Sequence, residues 1–246
     1  MPEDAKLAFR LECHEVLEST STTLKQRAEA GAAEGLAILA WRQGAGRGRQ
    51  GRGWESPAGN LYLSVLLRPA VPLREAPQWS FVAAVALAET LKPLLPHEAR
   101  LILKWPNDVL LQGAKAAGIL VETGITTDHA LDWICIGIGV NTASKPSLPD
   151  RATACLAEYL PNPPTPQALA AALLHNLAHW HETRLAQGLT PIRDAWLRHG
   201  PAIGAPISIR RDGALTEGAF AGLSPEGALM LAKGRDVQLI LAGEII

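Results

Sequence analysis

The sequence predicts an α+β fold, in which a β-sheet carries helices on one face and a small C-terminal β barrel follows. Three observations support this prediction. Residues 79–92 are rich in alanine and leucine, and short apolar runs occur on both sides of them. Strands that follow a buried helix in this way are typical of a sheet covered by helices. From residue 201 onward, short strands alternate with turns, which is typical of a small barrel.

The N-terminal part predicts a strand, a helix and two further strands. The first strand is expected at about residues 9–12, and hydroxyl residues then precede a helix that ends near Gly31. Thr23 to Gln26 matches a capping box, while Ser19 to Thr22 offer competing starts. Apolar runs predict buried strands at 35–41 and 60–68, on either side of a glycine-rich loop.

The central part predicts one packed helix at 79–92, then strands at 101–105, 118–122 and 133–140. Six prolines between residues 145 and 166 indicate an irregular connection. Two helices with apolar faces are expected next, at about 166–187 and 191–199.

The change of pattern at Pro201 predicts two domains, residues 1–200 and residues 201–246. The second has about 45 residues, too few for independent stability without docking against the first. With 246 residues and 48% hydrophobic content, the chain can bury one substantial core.

Positive charge is local in this chain. The formal net charge is −1, yet residues 44–53 contain five glycines and three arginines and no acidic residue. Proteins that bind nucleic acids generally carry a broad basic surplus, which argues against that class. The anion that this loop would bind is therefore expected to be small.

The composition favours a cytoplasmic protein. Three widely spaced cysteines form no Cys-x-x-Cys pair, which fits a reducing compartment. The first ten residues, MPEDAKLAFR, show no secretory signal, and no run reaches the roughly 18 apolar residues of a membrane span.

The loop matches two phosphate-binding patterns only in part. Residues 46–51 satisfy Gly-x-Gly-x-x-Gly, but Pro57 and Gly59 follow where a dinucleotide fold needs a helix. Arg52 and Gly53 stand where a Walker loop has Lys and Ser or Thr. A solvated, disordered arginine-glycine segment is the competing interpretation on composition alone.

A second polar segment, residues 104–122, follows the packed helix. Pro106 restricts the backbone and disfavours helix at Trp105, so Asn107 and Asp108 are expected to project from a defined bend. Lys115 lies at the entrance of an apolar strand, and Gly118 would allow a ligand to approach the backbone.

Together these segments closely resemble those of bacterial biotin protein ligases. The resemblance rests on Glu18-Ser19-Thr20, Gln43, residues 46–52, Trp54, NLYLS at 60–64, KWPND at 104–108, KAAGIL at 115–120, GIGVN at 137–141 and GE at 243–244. It implies the family's catalytic domain on a mixed sheet with helices and an SH3-like C-terminal barrel. Because about eight residues precede the first strand, the N-terminal DNA-binding domain of some members is expected to be missing.

The resemblance also implies roles for individual residues. The catalytic cations would be Lys115 and Arg49. Contacts to biotin would come from Ser19, Thr20, Ser21, Gln43, Gly46, Arg47, Gly48, Arg49, Lys115 and Gly118. The nucleotide would be bound by Arg47, Arg49, Arg52, Trp54, Asn107, Asp108, Lys115 and Asn141, with Asp108 as the metal residue. The chain departs from the family pattern at Ser21, where Asn is usual, and at Gly44, where a larger polar residue is common.

The implied reaction has two steps. Biotin reacts with ATP, with Mg²⁺ on the phosphates, to give biotinyl-5′-AMP. A lysine of a biotin carboxyl carrier domain then attacks the mixed anhydride. Fixed cations lower the repulsion between the two anions in the first step. A glycine-rich loop that is disordered first and ordered by ligand would exclude water from the product.

The sequence also bears on partners and on rival functions. An edge strand of the sheet could pair with the carrier domain, and a homodimer is a further expectation. A lipoate–protein ligase shares the fold and reaction type, but its signature differs from GRGRQGRGW at 46–54. A ligand-responsive repressor and a binding protein without catalysis are two further rival functions. The short N-terminus argues against DNA binding, and the presence of Lys115, Arg49 and Asp108 argues against loss of catalysis.

Overall fold

A computed structural model of the chain describes residues 7–211 and 213–246. Residues 1–6, which belong to the segment expected to lack a secretory signal, lie outside the described residues. So does Asp212, at the start of one predicted C-terminal strand region.

The core of the fold is a seven-stranded mixed sheet. Its strands are β1 (Arg10–Leu17), β2 (Leu36–Gln43), β3 (Leu61–Leu67), β4 (Leu101–Lys104), β5 (Asp108–Leu111), β6 (Ala114–Ile125) and β7 (Leu131–Val140). They are arranged in the order β1-β2-β3-β7-β6-β5-β4, and only β1 and β2 are parallel. The apolar runs that predicted the central strands are buried, which confirms the predicted sheet.

Helices cover both faces of this sheet, so the prediction of helices on one face was wrong. The helices are α1 (Thr20–Glu29), α2 (Trp79–Leu91), α3 (Pro166–Gln187) and α4 (Thr190–His199). The last three share one apolar cluster with the large sheet. Leu24 and Ala28 of α1 pack instead against Ile38, Leu66 and Cys135 on the other face. Since successive strand residues point to opposite faces, a continuous apolar run such as residues 36–41 of β2 needs cover on both sides.

The start of α1 differs from the predicted capping box at Thr23. Ser19 is the N-cap residue, in an extended conformation, and its hydroxyl accepts a hydrogen bond from the Thr22 amide at 3.4 Å. Of the competing hydroxyl residues, Ser19 lies farthest toward the N-terminus, which allows the helix to begin directly after β1. This start also buries the side chains of Thr20 and Ser21.

Strand β5 was not predicted. It has only four residues, and it pairs with β4 so that Asp108 lies opposite Lys104. The Trp105–Pro106 peptide bond is cis and forms the turn between the two strands. Gln112 and Gly113, with φ of 49° and 80°, form the next turn. The short apolar run at 109–111 gave too little periodicity to separate it from β6.

A second, antiparallel sheet follows α4. Its strands are β8 (Pro206–Arg211), β9 (Ala214–Leu223), β10 (Leu229–Lys233), β11 (Asp236–Ile240) and β12 (Glu244–Ile245), arranged in the order β11-β10-β9-β8-β12. This C-terminal sheet confirms the predicted small β unit and fits an SH3-like barrel. Trp196 of α4 docks it, with ring centroids 6.0 Å from Phe81 and 6.3 Å from Phe220. The domain boundary at residues 200 and 201 stays a prediction.

The three cysteines differ in exposure. Cys13 is exposed, whereas Cys135 and Cys155 are buried. Among the described residues, the helices are too short or too polar to cross a lipid bilayer.

Candidate active site

One cavity brings together every residue that the resemblance assigned to biotin, nucleotide or metal. Its volume is about 550 Å³. Its walls come from the start of α1, the glycine-arginine loop, the centre of β6, the C-terminal end of β7, the segment that follows β7 and the end of the C-terminal sheet. The structure therefore places the predicted residues around one cavity, while the binding and catalytic role of each residue stays a prediction.

The glycine-arginine loop folds over this cavity as a hairpin-like flap. Its two limbs are joined by backbone hydrogen bonds from Gly48 to Arg52 at 2.8 Å and from Trp54 to Gly46 at 2.9 Å. Gln50, with φ of 56°, and Gly51 form its tip. A Cβ at Gly46 would lie 2.3 Å from the Trp54 carbonyl oxygen, so only glycine allows the limbs to cross there. Ordering of this loop by ligand stays a prediction.

One end of the cavity is polar but uncharged. Ser19, Thr20 and Ser21 are buried there by the first turn of α1. The backbone amide of Thr20 donates to Oε1 of Gln43 at 2.8 Å, and Ser21 Oγ lies 3.2 Å from Ser64 Oγ. Such a wall offers hydrogen-bonding groups without charge, as a neutral polar ring requires.

Tyr62 is a wall residue that the sequence reasoning did not single out. Its side chain is almost fully buried, and its hydroxyl donates to the carbonyl oxygen of Pro57 at 2.8 Å. Burial raises the pKa of Tyr62 to about 12, because the phenolate would lose its hydration.

This shift predicts a loss of stability in alkali. Above pH 10 the unfolded chain releases the Tyr62 proton while the folded chain keeps it, so the free energy of unfolding falls as pH rises toward 12. The slope from this residue is at most about 1.4 kcal/mol per pH unit. Urea unfolding at pH 8 to 12 should show a shallower decline for Tyr62→Phe than for the parent chain. Parallel declines in the two proteins would contradict this assignment.

Two glycines form the floor at the centre of the cavity. Gly118 on β6 and Gly139 on β7 lie opposite each other in the sheet. The Trp54 ring packs on both, since a Cβ would lie 2.6 Å from the ring at Gly139 and 3.0 Å at Gly118. The indole nitrogen of Trp54 is buried and has no hydrogen-bond partner among the described residues.

The other end of the cavity is cationic. Lys115 Nζ lies 2.6 Å from Oδ1 of the buried Asp108 and 5.5 Å from the centre of the Trp54 ring. Arg49 reaches the same end from the loop and donates to Asn107 Oδ1 at 3.0 Å. Asn107 in turn donates to the Ile119 carbonyl oxygen at 2.7 Å, which fixes its amide.

Lys104 lies next to this end but does not line the cavity. Burial lowers the pKa of its ammonium group, which the negative charges of Asp108 and Glu244 only partly offset.

Arg47 is held away from the cationic end. Its guanidinium forms two hydrogen bonds with Glu122 on β6, at 3.0 and 3.2 Å. Lys25 of α1 shares the same carboxylate at 3.0 Å. The backbone of Arg47 lies at the cavity, whereas its side chain fastens the loop to the sheet and to α1.

The C-terminal sheet reaches the cavity through Glu244. Its carboxylate accepts from Arg52 of the loop at 3.2 Å and from Arg151 of the segment after β7 at 2.8 Å. Burial alone would raise the pKa of Glu244, but Arg151 and Arg52 outweigh burial and lower it. One carboxylate thus joins both segments that flank the opening. The sequence reasoning missed Arg151, since nothing near it in the sequence marks it as a site residue.

Asn141 supports the strand that carries Lys115. Its amide donates to the carbonyl oxygens of Ala154, at 3.0 Å, and Lys115, at 3.4 Å. Residues 152 and 154 pair with the backbone of Lys115 itself. The contacts of Asn141 are therefore to the main chain around Lys115.

The side chains that could ligate a metal do not form a permanent metal site. In residues 7–211 and 213–246, no three His, Cys, Asp or Glu side chains converge to hold an ion. Asp108, the predicted metal residue, is paired with Lys115, and Glu244 is paired with two arginines. The ammonium group of Lys115 occupies the Asp108 oxygen that a metal ion would need as a ligand.

A cavity with a neutral polar wall, a glycine floor and a cationic end is typical of a protein that binds a small molecule with an anionic group.

The chain belongs to the biotin/lipoate A/B protein ligase family, whose model matches residues 13–141. It is 38% identical over 219 residues to a biotin–[acetyl-CoA-carboxylase] ligase of Paracoccus denitrificans, covering 85% of this chain and 88% of that protein. These matches confirm the family that the sequence motifs predicted.

Further relatives agree. The chain is 32% identical to the bifunctional ligase/repressor of Bacillus subtilis, over 94% of this chain and 72% of that protein. The solved biotin protein ligase from Aquifex aeolicus, in complex with biotin and ATP, superposes with a TM-score of 0.79 at 25% identity. That match covers 96% of this chain and 97% of the solved chain.

Proposed function

We propose that this chain is an ATP-dependent biotin protein ligase. It activates biotin as biotinyl-5′-AMP and then transfers the biotinyl group to a lysine of a biotin carboxyl carrier domain. The observation that carries the proposal is the cavity itself, which brings together an uncharged hydrogen-bonding wall, the glycine floor and the Lys115–Arg49 end.

The proposed chemistry follows from the presence of a neutral wall and a cationic end in one cavity. A carboxylate oxygen of biotin attacks the α-phosphorus of ATP, the bond to the β-phosphate breaks, and pyrophosphate leaves. Lys115 and Arg49 offset the repulsion between these anions. In the second step a lysine amine attacks the acyl carbon, loses its proton, and AMP leaves. No covalent bond to the enzyme is required, so the chain acts by positioning and by excluding water.

Magnesium enters this proposal as part of the nucleotide substrate. Mg²⁺ is commonly held by one or two carboxylates together with substrate phosphates. Asp108 is the acidic side chain nearest to the cationic end, and we propose that it meets the ion if ligand binding draws Lys115 toward the phosphates. The chemistry that Mg²⁺ supplies is neutralisation of phosphate charge.

A second cavity of about 560 Å³ offers a route for the acceptor lysine. It lies between β6 and the end of the C-terminal sheet and shares Arg49, Asn107 and Ile119 with the first cavity. Beside it, residues 120–125 of β6 pair with β7 alone in the described part of the chain. A carrier strand could add to this free edge and direct its lysine past the Arg49–Asn107 hydrogen bond.

Filling this second cavity should separate the two half-reactions. Ala242 is exposed and lines it, so Ala242→Trp should reduce transfer to a carrier domain by at least roughly tenfold through a steric clash. Biotin-dependent pyrophosphate release should not change, and hydroxylamine, a small amine, should still trap the adenylate. Ala202→Trp is the matched control, since Ala202 is also exposed but lines neither cavity. Equal transfer by the two variants would exclude this route.

The function itself is tested by mass spectrometry. A purified carrier domain is incubated with the chain, biotin, ATP and magnesium, and the expected result is addition of one biotinyl group to one lysine. Lipoate in place of biotin tests the related activity within the family. A carrier that gains no mass with biotin but gains a lipoyl group would refute the proposal.

Some expectations from the sequence remain proposals. We retain a homodimer, absence of DNA binding and a cytoplasmic location as predictions. Sedimentation with and without biotin and ATP tests the first. Gel-shift with a biotin operator tests the second, because a repressor activity would retard the DNA.

A further inference from the structure

A chain of side-chain hydrogen bonds runs from the floor of the polar wall to the glycine-arginine loop. Ser21 Oγ lies 3.2 Å from Ser64 Oγ, and Ser64 donates to Thr20 Oγ1 at 2.8 Å. The Thr20 hydroxyl donates to Gln43 Oε1 at 3.2 Å. On its other side Gln43 Nε2 donates to Ser56 Oγ at 2.8 Å. These hydrogen bonds thus connect α1, β3 and β2 with Ser56, at the C-terminal end of the loop.

Every bond in this chain has a fixed direction. A carbonyl oxygen cannot donate, so the single proton of Thr20 goes to Gln43. Ser64 must then donate to Thr20, and Ser21 to Ser64. At the other end Ser56 accepts from Gln43, and its own proton goes to the carbonyl oxygen of Trp54 at 2.9 Å. The two ends of the chain therefore depend on one orientation of the Gln43 amide.

Ser56 supports this orientation from the loop, while the backbone N–H and hydroxyl of Thr20 support it from α1. In the reversed amide, Oε1 would face Ser56, whose proton is committed to Trp54, and the NH₂ group would face the backbone N–H of Thr20. Both contacts would be unfavourable. In the observed orientation one N–H of Gln43 is left for a ligand carbonyl. The base of the loop is also closed by a main-chain hydrogen bond, in which the backbone N–H of Gln43 donates to the carbonyl oxygen of Ser56 at 3.2 Å.

We propose that Ser56 is a positioning residue that couples occupancy of the polar wall to the position of Trp54 on the glycine floor. The inference rests on the proposed function. A ligand carbonyl that accepts the spare N–H of Gln43 stabilises the amide orientation in which Ser56 holds the Trp54 carbonyl. Trp54 in turn packs on Gly118 and Gly139 and lies beside Lys115. Biotin binding and nucleotide binding are then linked through one hydroxyl group.

The test is the effect of biotin on nucleotide affinity. Calorimetry with α,β-methylene-ATP gives the dissociation constant with and without saturating biotin. This analogue cannot transfer its adenylyl group to biotin, because a methylene group replaces the oxygen between its α- and β-phosphorus atoms. For the parent chain we expect biotin to tighten this analogue by roughly fivefold or more, the usual range for coupled sites. Ser56→Ala should reduce the ratio to about 1 to 2, and Ser56→Thr, which keeps the hydroxyl, should restore it. Ser208→Ala on β8 is the control and should keep the parent ratio.

The outcomes separate this inference from the proposed function. A parent ratio retained in a folded Ser56→Ala variant would overturn the positioning role, as would a parent chain that binds both ligands without coupling. A parent chain that binds neither biotin nor the analogue would overturn both proposals. If Ser56→Ala does not fold, Ser56→Cys provides the same comparison with a weaker donor. A merely structural role would lower the melting temperature without changing the ratio.

Discussion

Replacing Lys115 with methionine is expected to slow biotin-dependent pyrophosphate release by roughly 10²- to 10³-fold, the loss seen when one fixed transition-state donor is removed. Lys115 is the ammonium group at the cationic end of the cavity, and methionine keeps a similar hydrocarbon chain beside Trp54. The loss should appear in adenylate formation, because the negative charges of biotin and ATP meet in that step. Single-turnover assays with labelled ATP measure it directly.

The control for Lys115 is Lys104→Met. Lys104 is a half-buried lysine on β4, two strands away from β6 in the same sheet, but it does not line the cavity. Lys115→Met also leaves the buried Asp108 without its cation, so part of the effect could be lost stability. A double variant with Asp108→Asn removes both charges and separates the two effects. Near-normal pyrophosphate release by folded Lys115→Met would show that Lys115 has no catalytic role.

The second large effect is expected for Arg49→Gly. The Arg49 guanidinium fastens the loop to Asn107 at the cationic end, 3.0 Å away, and it stands at the junction of the two cavities. Without this contact the loop should close less completely, so that the adenylate escapes and acylates lysines of unrelated proteins. Adenylate formation should also slow, because Arg49 is one of the two proposed catalytic cations. For each adenylate formed, however, we expect transfer to bystander lysines to rise by roughly tenfold or more, because one charged hydrogen bond contributes about 1.5–3 kcal/mol.

Bystander transfer is measured by mass spectrometry of serum albumin added to the reaction. Arg42→Gly is the matched control, since Arg42 is an exposed arginine at the end of β2 that lines neither cavity. Selective transfer by Arg49→Gly, confined to the carrier lysine, would contradict the role of this contact in closure. Loss of adenylate formation with no leakage would instead place Arg49 in the first chemical step alone.

The positions of most elements could be predicted from the sequence. The runs at 35–41, 60–68 and 133–140 are apolar enough to be buried whichever strands they pair with, and α2 is apolar on all sides. The capping residue of α1 and strand β5 could not be placed in this way. The capping residue, Ser19, is one of several adjacent hydroxyl residues. Strand β5 has only four residues, and its pairing with β4 and β6 stabilises it more than the strand propensity of those residues does.

The candidate site shows the same division. Its motifs predicted which residues line the cavity, because glycines, arginines and the Lys115 segment are unusual in their local context. Side-chain contacts between segments that are distant in the sequence could not be predicted. Arg47 pairs with Glu122, Arg151 with Glu244, and Ser64 with Thr20, and these pairs are separated by 75, 93 and 44 positions.

The sequence by itself determined the family, most of the strands of the large sheet and the set of residues that line the cavity. Tertiary structure alone decided which side chains are paired: it holds Arg47 and Arg52 on carboxylates and gives the Gln43 amide a single orientation. The reason is physical. Burial pattern and turn chemistry are local properties of a sequence, whereas the direction of a hydrogen bond depends on partners that only the folded chain brings within about 3 Å of one another.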